Sequence, residues 1–389
     1  IIVFLTLFEY LRAKLLTGFP WLMPSIILSS NDYLIQIFAL VGSFTANLFV
    51  FSFSILPFIL IFNFRSKYII FGLLSIPITI LLFSSFVRLY NKDNKVSDKN
   101  LITLVQPNIE QKDKWNLEKR NANLNKLTQF SIQNVNEYIG VNRIIIWPET
   151  SFEGTIPDEM ELLSVISKRI LTDQKAILVV GLLRVDKNKL FNSLVFLNSK
   201  GNIIHQYDKI HLVPFGEYIP FRSKFTTIAN FLSLKDFSSG NIKSNFTLKG
   251  LGNILTLICY EILFTEEVIS RLSKNTNLLI NITNDAWFGK TIGPYQHLAL
   301  AKIKAVELGI PLARVANTGI SALISPYGEE ITKIPLYESG VRTAKLTLPL
   351  KNTIYRRYGE IIFIVSILFL IFINIICDYK FGRELRNEK

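Results

Sequence analysis

The chain has 389 residues, 49% of them hydrophobic, with two cysteines and a formal net charge of +13. Two cysteines, Cys259 in mid-chain and Cys377 near the end, exclude a disulfide-stapled scaffold and say nothing of redox compartment. The charge would suit nucleic acid, but the basic residues gather beside apolar runs, at Arg65 and Lys67, 88–99, Arg356 and Arg357, and 380–389, which favours anionic lipid headgroups instead. A Lys- and Asn-rich composition with no partner attached is an equally economical source of the same charge.

In chain order, the first elements are apolar. Residues 1–16 read as the end of a span that turns interfacial at Glu9, Arg12 and Lys14, while 34–62 is almost uncharged and 68–87 is apolar throughout. A third run covers 361–377. Runs of about 17–25 apolar residues match a hydrocarbon core about 30 Å thick, and a soluble helix has no reason to be apolar on every face. We therefore expect an N-terminal transmembrane region over 1–88 with spans at about 34–62 and 68–87, a C-terminal transmembrane helix over 359–378 and a basic tail over 379–389. The chain begins with Ile1 and not Met, which reads as a piece lacking earlier spans. A cleaved signal peptide fits less well, since no charged start or small-residue cleavage site is visible. The short basic turn at 63–67 sets the orientation: cytoplasmic there, with 88–358 outside and the tail inside again. The basic flanks at 88–99 and at Arg356 and Arg357 argue the other way, with less weight beside a large translocated domain.

Residues 100–348 read as an α/β domain. Short β-branched runs at 101–105, 143–147, 176–180, 254–259 and 278–282 are expected as buried strands, and helix-period stretches lie at 110–138, 158–171, 265–273 and 295–308. Two hairpins are expected, one turning at 198–201 and one at 326–328. Alternating helices and strands with added hairpins give mixed sheets.

The three histidines, His205, His211 and His297, include no pair at metal-ligand spacing, so no metal is expected. No P-loop occurs, and Gly250 and Gly252 lack the third glycine and the context of a dinucleotide fold. A serine nucleophile elbow is also missing. What remains is three strand ends carrying polar residues. In Ile144-Ile145-Ile146-Trp147-Pro148-Glu149 a buried strand stops at a proline and presents a carboxylate; in Tyr207-Asp208-Lys209 a lysine leaves a strand; in Leu257-Ile258-Cys259-Tyr260-Glu261 a thiol does. Singly, these are more often a solvated loop carboxylate, a surface charge and a small core residue. Together they fit acyl transfer, which needs a nucleophile, a base to take its proton, and a cation for the thiolate and the oxyanion. A Cys-His pair using His211 or His297 is the competing arrangement, and nothing in the sequence places either beside Cys259.

The glutamate after Trp-Pro, the lysine in Tyr-Asp-Lys and the cysteine in Cys-Tyr-Glu, in that order, resemble the triad of the carbon-nitrogen hydrolase, or nitrilase, superfamily. The stretches 211–220 (His-Leu-Val-Pro-Phe-Gly-Glu-Tyr-Ile-Pro), 258–261 and 284–289 (Asn-Asp-Ala-Trp-Phe-Gly) are more specifically similar to apolipoprotein N-acyltransferases, as are 17–21 (Thr-Gly-Phe-Pro-Trp) and 317–322 (Asn-Thr-Gly-Ile-Ser-Ala). The resemblance covers nearly the whole chain and implies a nitrilase-like four-layer αββα sandwich over 100–348, flanked by transmembrane α-helices. It implies transfer of the sn-1 acyl chain of a phospholipid to the amine of a diacylglyceryl-cysteine apolipoprotein, with Cys259 as thioester-forming nucleophile, Glu149 as base and Lys209 as oxyanion stabiliser. Glu217, Tyr260, Glu261 and Trp115 are implied as supporting or substrate-binding residues. Without the resemblance, Trp115 would read as a helix-face aromatic. Ile210 stands where the family commonly has a basic residue and Thr265 where it has proline, and the family has more N-terminal spans; these departures touch fine specificity more than the reaction. The expected setting is a bacterial cytoplasmic (inner) membrane with the catalytic domain outside, as a monomer, without cofactor or nucleic acid. Phe215, Phe221, Phe225, Phe231 and Leu232 are candidates for a lipid-facing entrance, or for packing over the sheet. Two rival functions are a membrane-anchored amidase that gives the acyl group to water, and a non-catalytic scaffold that keeps the fold.

Overall fold

The computed structural model describes residues 2–61, 67–93, 95–133, 138–220, 236–241 and 245–387. Phe221, Phe225, Phe231, Leu232 and the basic turn at 62–66 lie outside the described residues. The chain divides into two compact units, one made of 1–93, 306–309 and 350–389, the other of 94–305 and 310–349.

The first unit is helical. Among the described residues, two helices are long and apolar enough to cross a membrane, Leu34–Ile61 and Ile70–Tyr90, while the apolar part of the last helix, Ile361–Ile375, is shorter. A short helix, Ile2–Lys14, precedes them. A small core joins Ala13, Met23, Phe44, Leu48, Phe363 and Ile367. Within it Tyr10 stacks on Phe363 and meets Phe44 edge-on, both at 5.0 Å between ring centres. Gly42 interrupts its helix at φ +73°, where the Tyr355 ring lies against it and leaves no room for a Cβ.

The second unit holds two sheets. One has seven strands: β1 (Val96–Gln106), β2 (Asn142–Ile146), β3 (Thr155–Ile156), β4 (Ala176–Asp186), β5 (Lys189–Leu197), β6 (Ile203–Asp208) and β13 (Gly340–Thr347), in the order β13-β1-β2-β4-β5-β6 with β3 paired to β4. The other has six: β7 (Asn245–Leu248), β8 (Gly252–Ile258), β9 (Thr276–Thr283), β10 (Leu312–Ala316), β11 (Ser321–Ile324) and β12 (Glu330–Ile334), ordered β12-β11-β10-β9-β8-β7. Both have parallel centres (β1-β2-β4 and β8-β9-β10) and antiparallel edges. Parallel strands buried on both faces need near-continuous apolar runs, which is why 143–147, 254–259 and 278–282 were readable as strands.

Alternation assigns the faces. Ile144 and Ile146 of β2, Val179 of β4, Ile254 and Ile258 of β8 and Ile280 and Ile282 of β9 meet in one core between the sheets. Ile145, Leu178 and Val180, pointing the other way, pack with Leu124, Leu127, Leu163 and Ile166 of the helices Leu117–Ile132 and Met160–Ile170. Leu255 and Leu257 on the far side of β8 are equally buried, beside the helices Thr265–Arg271 and Gly293–Leu308, whose Val268, Ala301 and Ala305 are buried too. The result is the helix-sheet-sheet-helix layering of the nitrilase fold.

The helix expected over 110–138 begins only at Leu117, because Asn116 caps it by accepting from Glu118 N and Trp115 turns the chain at φ +71°. The first expected hairpin is β5-β6, with Leu197 opposite Ile203; in the second, Leu323 pairs with Thr332. Strands β7, β10 and β13 carried no prior expectation. Half-exposed β13, with polar residues at Arg342, Thr343 and Lys345, lacks the apolar run that marks the central strands.

Candidate active site

The C-terminal ends of parallel strands carry the candidate chemistry. β2 ends at Ile146, β6 at Asp208 and β8 at Ile258, each a few residues before Glu149, Lys209 and Cys259. β6 is antiparallel to β5 and β5 to β4, so β2, β4 and β6 point the same way and end at one edge. Functional groups in α/β sheets gather outside such carboxyl ends, where side chains are freed from the ladder.

Glu149 is held at three points. Trp147 continues the pairing through its N–H to Val179 O at 2.9 Å and anchors its indole on Ser131 Oγ at 2.7 Å, after which Pro148 stops the strand. The carboxylate accepts Asn192 Nδ2 at 2.7 Å on Oε1 and the backbone N–H of Asn284, just after β9, at 2.8 Å on Oε2. This second bond ties the edge of one sheet to that of the other. Gly181 of β4 lies directly beneath: a Cβ there would stand 2.8 Å from both Glu149 Cα and Ile282 Cδ1 and closer still to Pro148 O.

Lys209 follows β6 and is 1% exposed. Its N–H bonds Asn192 O at 2.8 Å, and its ammonium donates to Glu217 Oε1 at 2.9 Å, lies 2.8 Å from Glu217 Oε2 and stands 3.9 Å from Glu149 Oε1. Burial alone would lower its pKa, but the carboxylates of Glu217 and Glu149 outweigh that and raise it above the ordinary lysine value, so the ammonium is permanent. Glu217 is fixed in turn by Val213 N at 2.8 Å and by Asn192 Nδ2 at 2.9 Å. One buried asparagine amide therefore sets the spacing of both carboxylates.

Cys259 stands at φ +53°, a conformation costly for a residue with a Cβ, on the first residue after β8. Glu261 holds this elbow: Oε2 accepts Ile258 N at 2.7 Å, while Oε1 accepts Tyr207 Oη at 2.5 Å and the N–H groups of Ile210 at 2.8 Å and His211 at 3.2 Å. It thereby fastens the Lys209 strand end to the Cys259 elbow. Tyr260 is buried edge-on against Phe264 at 5.0 Å. Cys259 as a residue keeps partial exposure. Burial raises its pKa first and the nearby Glu149 carboxylate second, against the lowering pull of Lys209, up to about 12. At rest the sulfur is a thiol.

Of the residues expected from sequence, Glu149, Lys209 and Glu217 touch or nearly touch one another, and Glu261 and Tyr260 belong to the Cys259 elbow. Trp115 is 43% exposed, and its backbone N–H bonds Glu153; its neighbour reaches the Glu149 turn. Lys114 is buried and donates to Glu149 O at 3.1 Å and to Thr150 Oγ1 at 2.5 Å, bridging two turns strained at Trp115 (φ +71°) and Thr150 (φ +45°). His211 instead bonds Glu267 at 2.9 Å and stacks on Phe264. His297 lies behind Cys259 with its Nδ1 committed to Asp285 at 2.9 Å. Lys114, Asn192 and Asn284 had no assigned role in the sequence reading. Their signal was present: Asn192 and Ser193 are polar in the middle of an apolar strand, and Lys114 precedes the Trp115 already singled out.

Burial pulls the Lys114 pKa down to about 8 against the attraction of Glu149 and Glu153. Its folded value lies below the 10.5 of an ordinary lysine, so between those two values the unfolded chain binds more protons and this group's contribution makes stability rise with pH. Replacing Lys114 with methionine is expected to abolish that rise, measured as unfolding midpoints at pH 7.5 and 10 in detergent. Activity should fall about 10²-fold as the Glu149 and Thr150 turn loosens. A midpoint that still climbs in Lys114→Met to the wild-type extent would assign the rise elsewhere.

The carbon-nitrogen hydrolase family profile matches residues 101–354. The apolipoprotein N-acyltransferase of Rhodopseudomonas palustris is 31% identical over 376 residues, covering 92% of this chain and 69% of that protein. Its namesake from Rickettsia prowazekii is 32% identical over 395 residues, covering 96% and 75%. Among solved structures, Saccharomyces cerevisiae Nit3, a member of branch 10 of the nitrilase superfamily, aligns with a TM-score of 0.49 at 19% identity over 65% of this chain and 91% of that one. The match to relatives runs through the apolar helices as well as the sheets, and on it the chain belongs to the carbon-nitrogen hydrolase family and, within it, to the apolipoprotein N-acyltransferases.

Proposed function

We propose that this chain transfers an acyl group from a phospholipid, through a thioester on Cys259, to the amino group of a diacylglyceryl-cysteine apolipoprotein. The observation that carries this reading is the cluster of buried Glu149 and Lys209 with partly exposed Glu217 beside the Cys259 elbow, in a chain matched over more than nine tenths of its length by acyltransferases. In the first half-reaction Glu149 takes the Cys259 proton as the sulfur attacks the ester carbonyl. The oxyanion forms beside Lys209, whose remaining N–H not directed at Glu217 is available to it. Collapse breaks the ester C–O bond, and Glu149 returns the proton to the lysophospholipid oxygen. In the second, the lipoprotein amine attacks the thioester, Glu149 takes its proton, and collapse expels the sulfur, which recovers a proton from Glu149.

The same reading puts the helices Leu34–Ile61 and Ile70–Tyr90 in a bilayer, with the catalytic unit on the extracytoplasmic side of a bacterial cytoplasmic membrane. Its support is that Ile76, Ile80 and Phe83 stand exposed on an otherwise apolar helix, a surface that suits lipid and not water. Both substrates are lipids, and a site at the bilayer surface avoids drawing acyl chains into water at about 0.8 kcal/mol per methylene. Phe215, exposed at φ +62° beside Glu217, is the described member of the proposed entrance.

Purified protein incubated with phospholipid in detergent should acquire a hydroxylamine-sensitive acyl adduct on Cys259, read by peptide mass spectrometry and absent from Cys259→Ser. Adding a diacylglyceryl-cysteine peptide should move the chain onto the peptide as an amide. Hydrolysis of small amides with no lipid adduct would replace this reading with the anchored amidase.

A further inference from the structure

Behind Cys259 lies a second buried charge cluster that the two half-reactions leave unused. Asp285, Arg314 and His297 are each at most 1% exposed. Arg314 donates through Nη2 to Asp285 Oδ2 at 2.6 Å and through Nη1 to Asn281 Oδ1 at 2.9 Å. Asn281 Nδ2 in turn donates to the Cys259 carbonyl at 3.2 Å. On the other side, Asp285 Oδ1 accepts from His297 Nδ1 at 2.9 Å and from the Thr283 hydroxyl at 3.0 Å. Against burial, the largest influence on the Cys259 thiol, the Thr283 hydroxyl pulls its pKa down. Strand register explains the meeting: Ile258 of β8 pairs in parallel with Ile282 of β9, so Cys259 and Thr283 are the next residues along the two chains. These bonds run from the Cys259 carbonyl round to Thr283, its neighbour across the two strands.

The charge states fix the direction of the bonds. Burial would raise the Asp285 pKa, but Arg314 and His297 hold the carboxyl well below the usual carboxylate range. It is an acceptor only. Burial and then Arg314 keep the His297 pKa below its ordinary value despite Asp285, so the imidazole is neutral and gives Asp285 its Nδ1 hydrogen. Thr283 has one hydroxyl hydrogen. While that hydrogen points at Asp285, the oxygen presents a lone pair toward the sulfur side. Once the sulfur is an anion, the same lone pair repels it. Turning the hydroxyl to the thiolate removes the repulsion, and Asp285 Oδ1 keeps the His297 hydrogen, so no buried acceptor is stripped.

We propose that Thr283, held by Asp285, His297 and Arg314, is a positioning residue that turns its hydroxyl hydrogen from Asp285 to the Cys259 thiolate as Glu149 removes the thiol proton. The S–H bond breaks, the proton goes to a Glu149 carboxylate oxygen, and the electron pair stays on sulfur. This rests on Cys259 being the nucleophile of the acyl transfer.

The test is the pH dependence of iodoacetamide alkylation of Cys259 in the full chain in detergent, read by mass. The other charged groups acting on the thiol, Glu149, Lys209, Lys114 and Asp285, stay in place throughout. Thr283→Val should alkylate about tenfold more slowly or worse at pH 8, with the profile moved to higher pH. Thr283→Ala, which adds no bulk, should share that profile if the valine variant folds poorly, and Thr283→Ser should recover the wild-type one. In acyl transfer, kcat should fall with KM for phospholipid little changed. An unshifted profile in both Val and Ala variants, or a Ser variant displaced as far as they are, would overturn the proposal and leave Thr283 as packing. Alkylation needs no lipid, so a shifted profile in protein that forms no acyl adduct would sink the acyl-transfer reading alone.

Discussion

Glu149→Gln is expected to slow acylation of Cys259 by about 10²- to 10⁴-fold, the usual worth of a positioned general base, without unfolding the protein. The size follows from the resting state of the sulfur. With the thiol pushed up to about 12 by burial and then by Glu149, the resting protein carries almost no free thiolate at neutral pH, so the reaction depends on proton removal in step with attack. The fold should survive because the substitution is nearly isosteric and most of the surrounding polar contacts persist. The retained carbonyl oxygen can still accept Asn284 N–H. Asn192 Nδ2 loses Glu149 as an acceptor but keeps Glu217 at 2.9 Å. Lys209 keeps both oxygens of Glu217. Removing Lys209 instead would confuse the question, since it leaves two carboxylates buried beside each other and costs about 3–5 kcal/mol in stability. The measurement is the rate of hydroxylamine-sensitive adduct formation at pH 7 to 8 in folded variant protein. A rate within about threefold of wild type would move the base elsewhere; His297, the histidine nearest the elbow, would be the next group to test.

What the sequence disclosed of this site was its strand ends, and the reason is physical. A run such as 143–147 must be apolar to lie between layers, so the carboxylate that follows Pro148 stands out against it, and likewise Lys209 and Cys259 after β6 and β8. The contacts between those ends were not legible, because they depend on register. Nothing local says that Asn192 lies opposite Lys209, or that Asn284 N–H reaches Glu149 across 135 positions of chain. Lys114 was hidden for another reason: on a helix it would face solvent, and only the cap at Asn116 and the left-handed turn at Trp115 bend it under Glu149. His297 was open as a base from sequence; the structure commits its Nδ1 to Asp285 and lowers its pKa by burial. The peripheral strands escaped for want of alternation. β13 mixes charged and apolar residues on a half-exposed edge, and the long end of β4, with Arg184 and Asp186, turns into β5 through Lys187 and Asn188, both at positive φ, in a turn that has no glycine to announce it.

Gly181 is where fold and chemistry meet most closely, and Gly181→Ala should be the most damaging single methyl group in the catalytic unit. The position needs no unusual φ, so the substitution introduces no backbone strain of its own. The obstacle is space. The added carbon would stand 2.8 Å from Glu149 Cα, 2.8 Å from Ile282 Cδ1 and nearer still to Pro148 O, and two of those three are backbone that cannot rotate away. Gly181 is itself paired in the ladder, opposite Leu194, and its carbonyl accepts Phe152 N at 3.1 Å and Ser151 Oγ at 3.3 Å, so β4 is not free to retreat. The Pro148–Glu149 turn must therefore move outward. Overpacking of this kind costs about 1–3 kcal/mol of stability, while a displacement of about 1 Å in the base is enough to lose about 10²-fold in rate. We expect a folded protein with a lowered unfolding midpoint, acyl transfer reduced by at least that factor, and iodoacetamide alkylation of Cys259 changed far less, since Lys209 and the elbow are untouched. Gly216→Ala, whose Cβ would meet only Val213 at 3.4 Å, is the matched control and should behave as wild type. If Gly181→Ala instead keeps full transfer activity, the Glu149 turn is pliable, and the rigid bracing by Asn192, Asn284 and Lys114 does not set the position of the base.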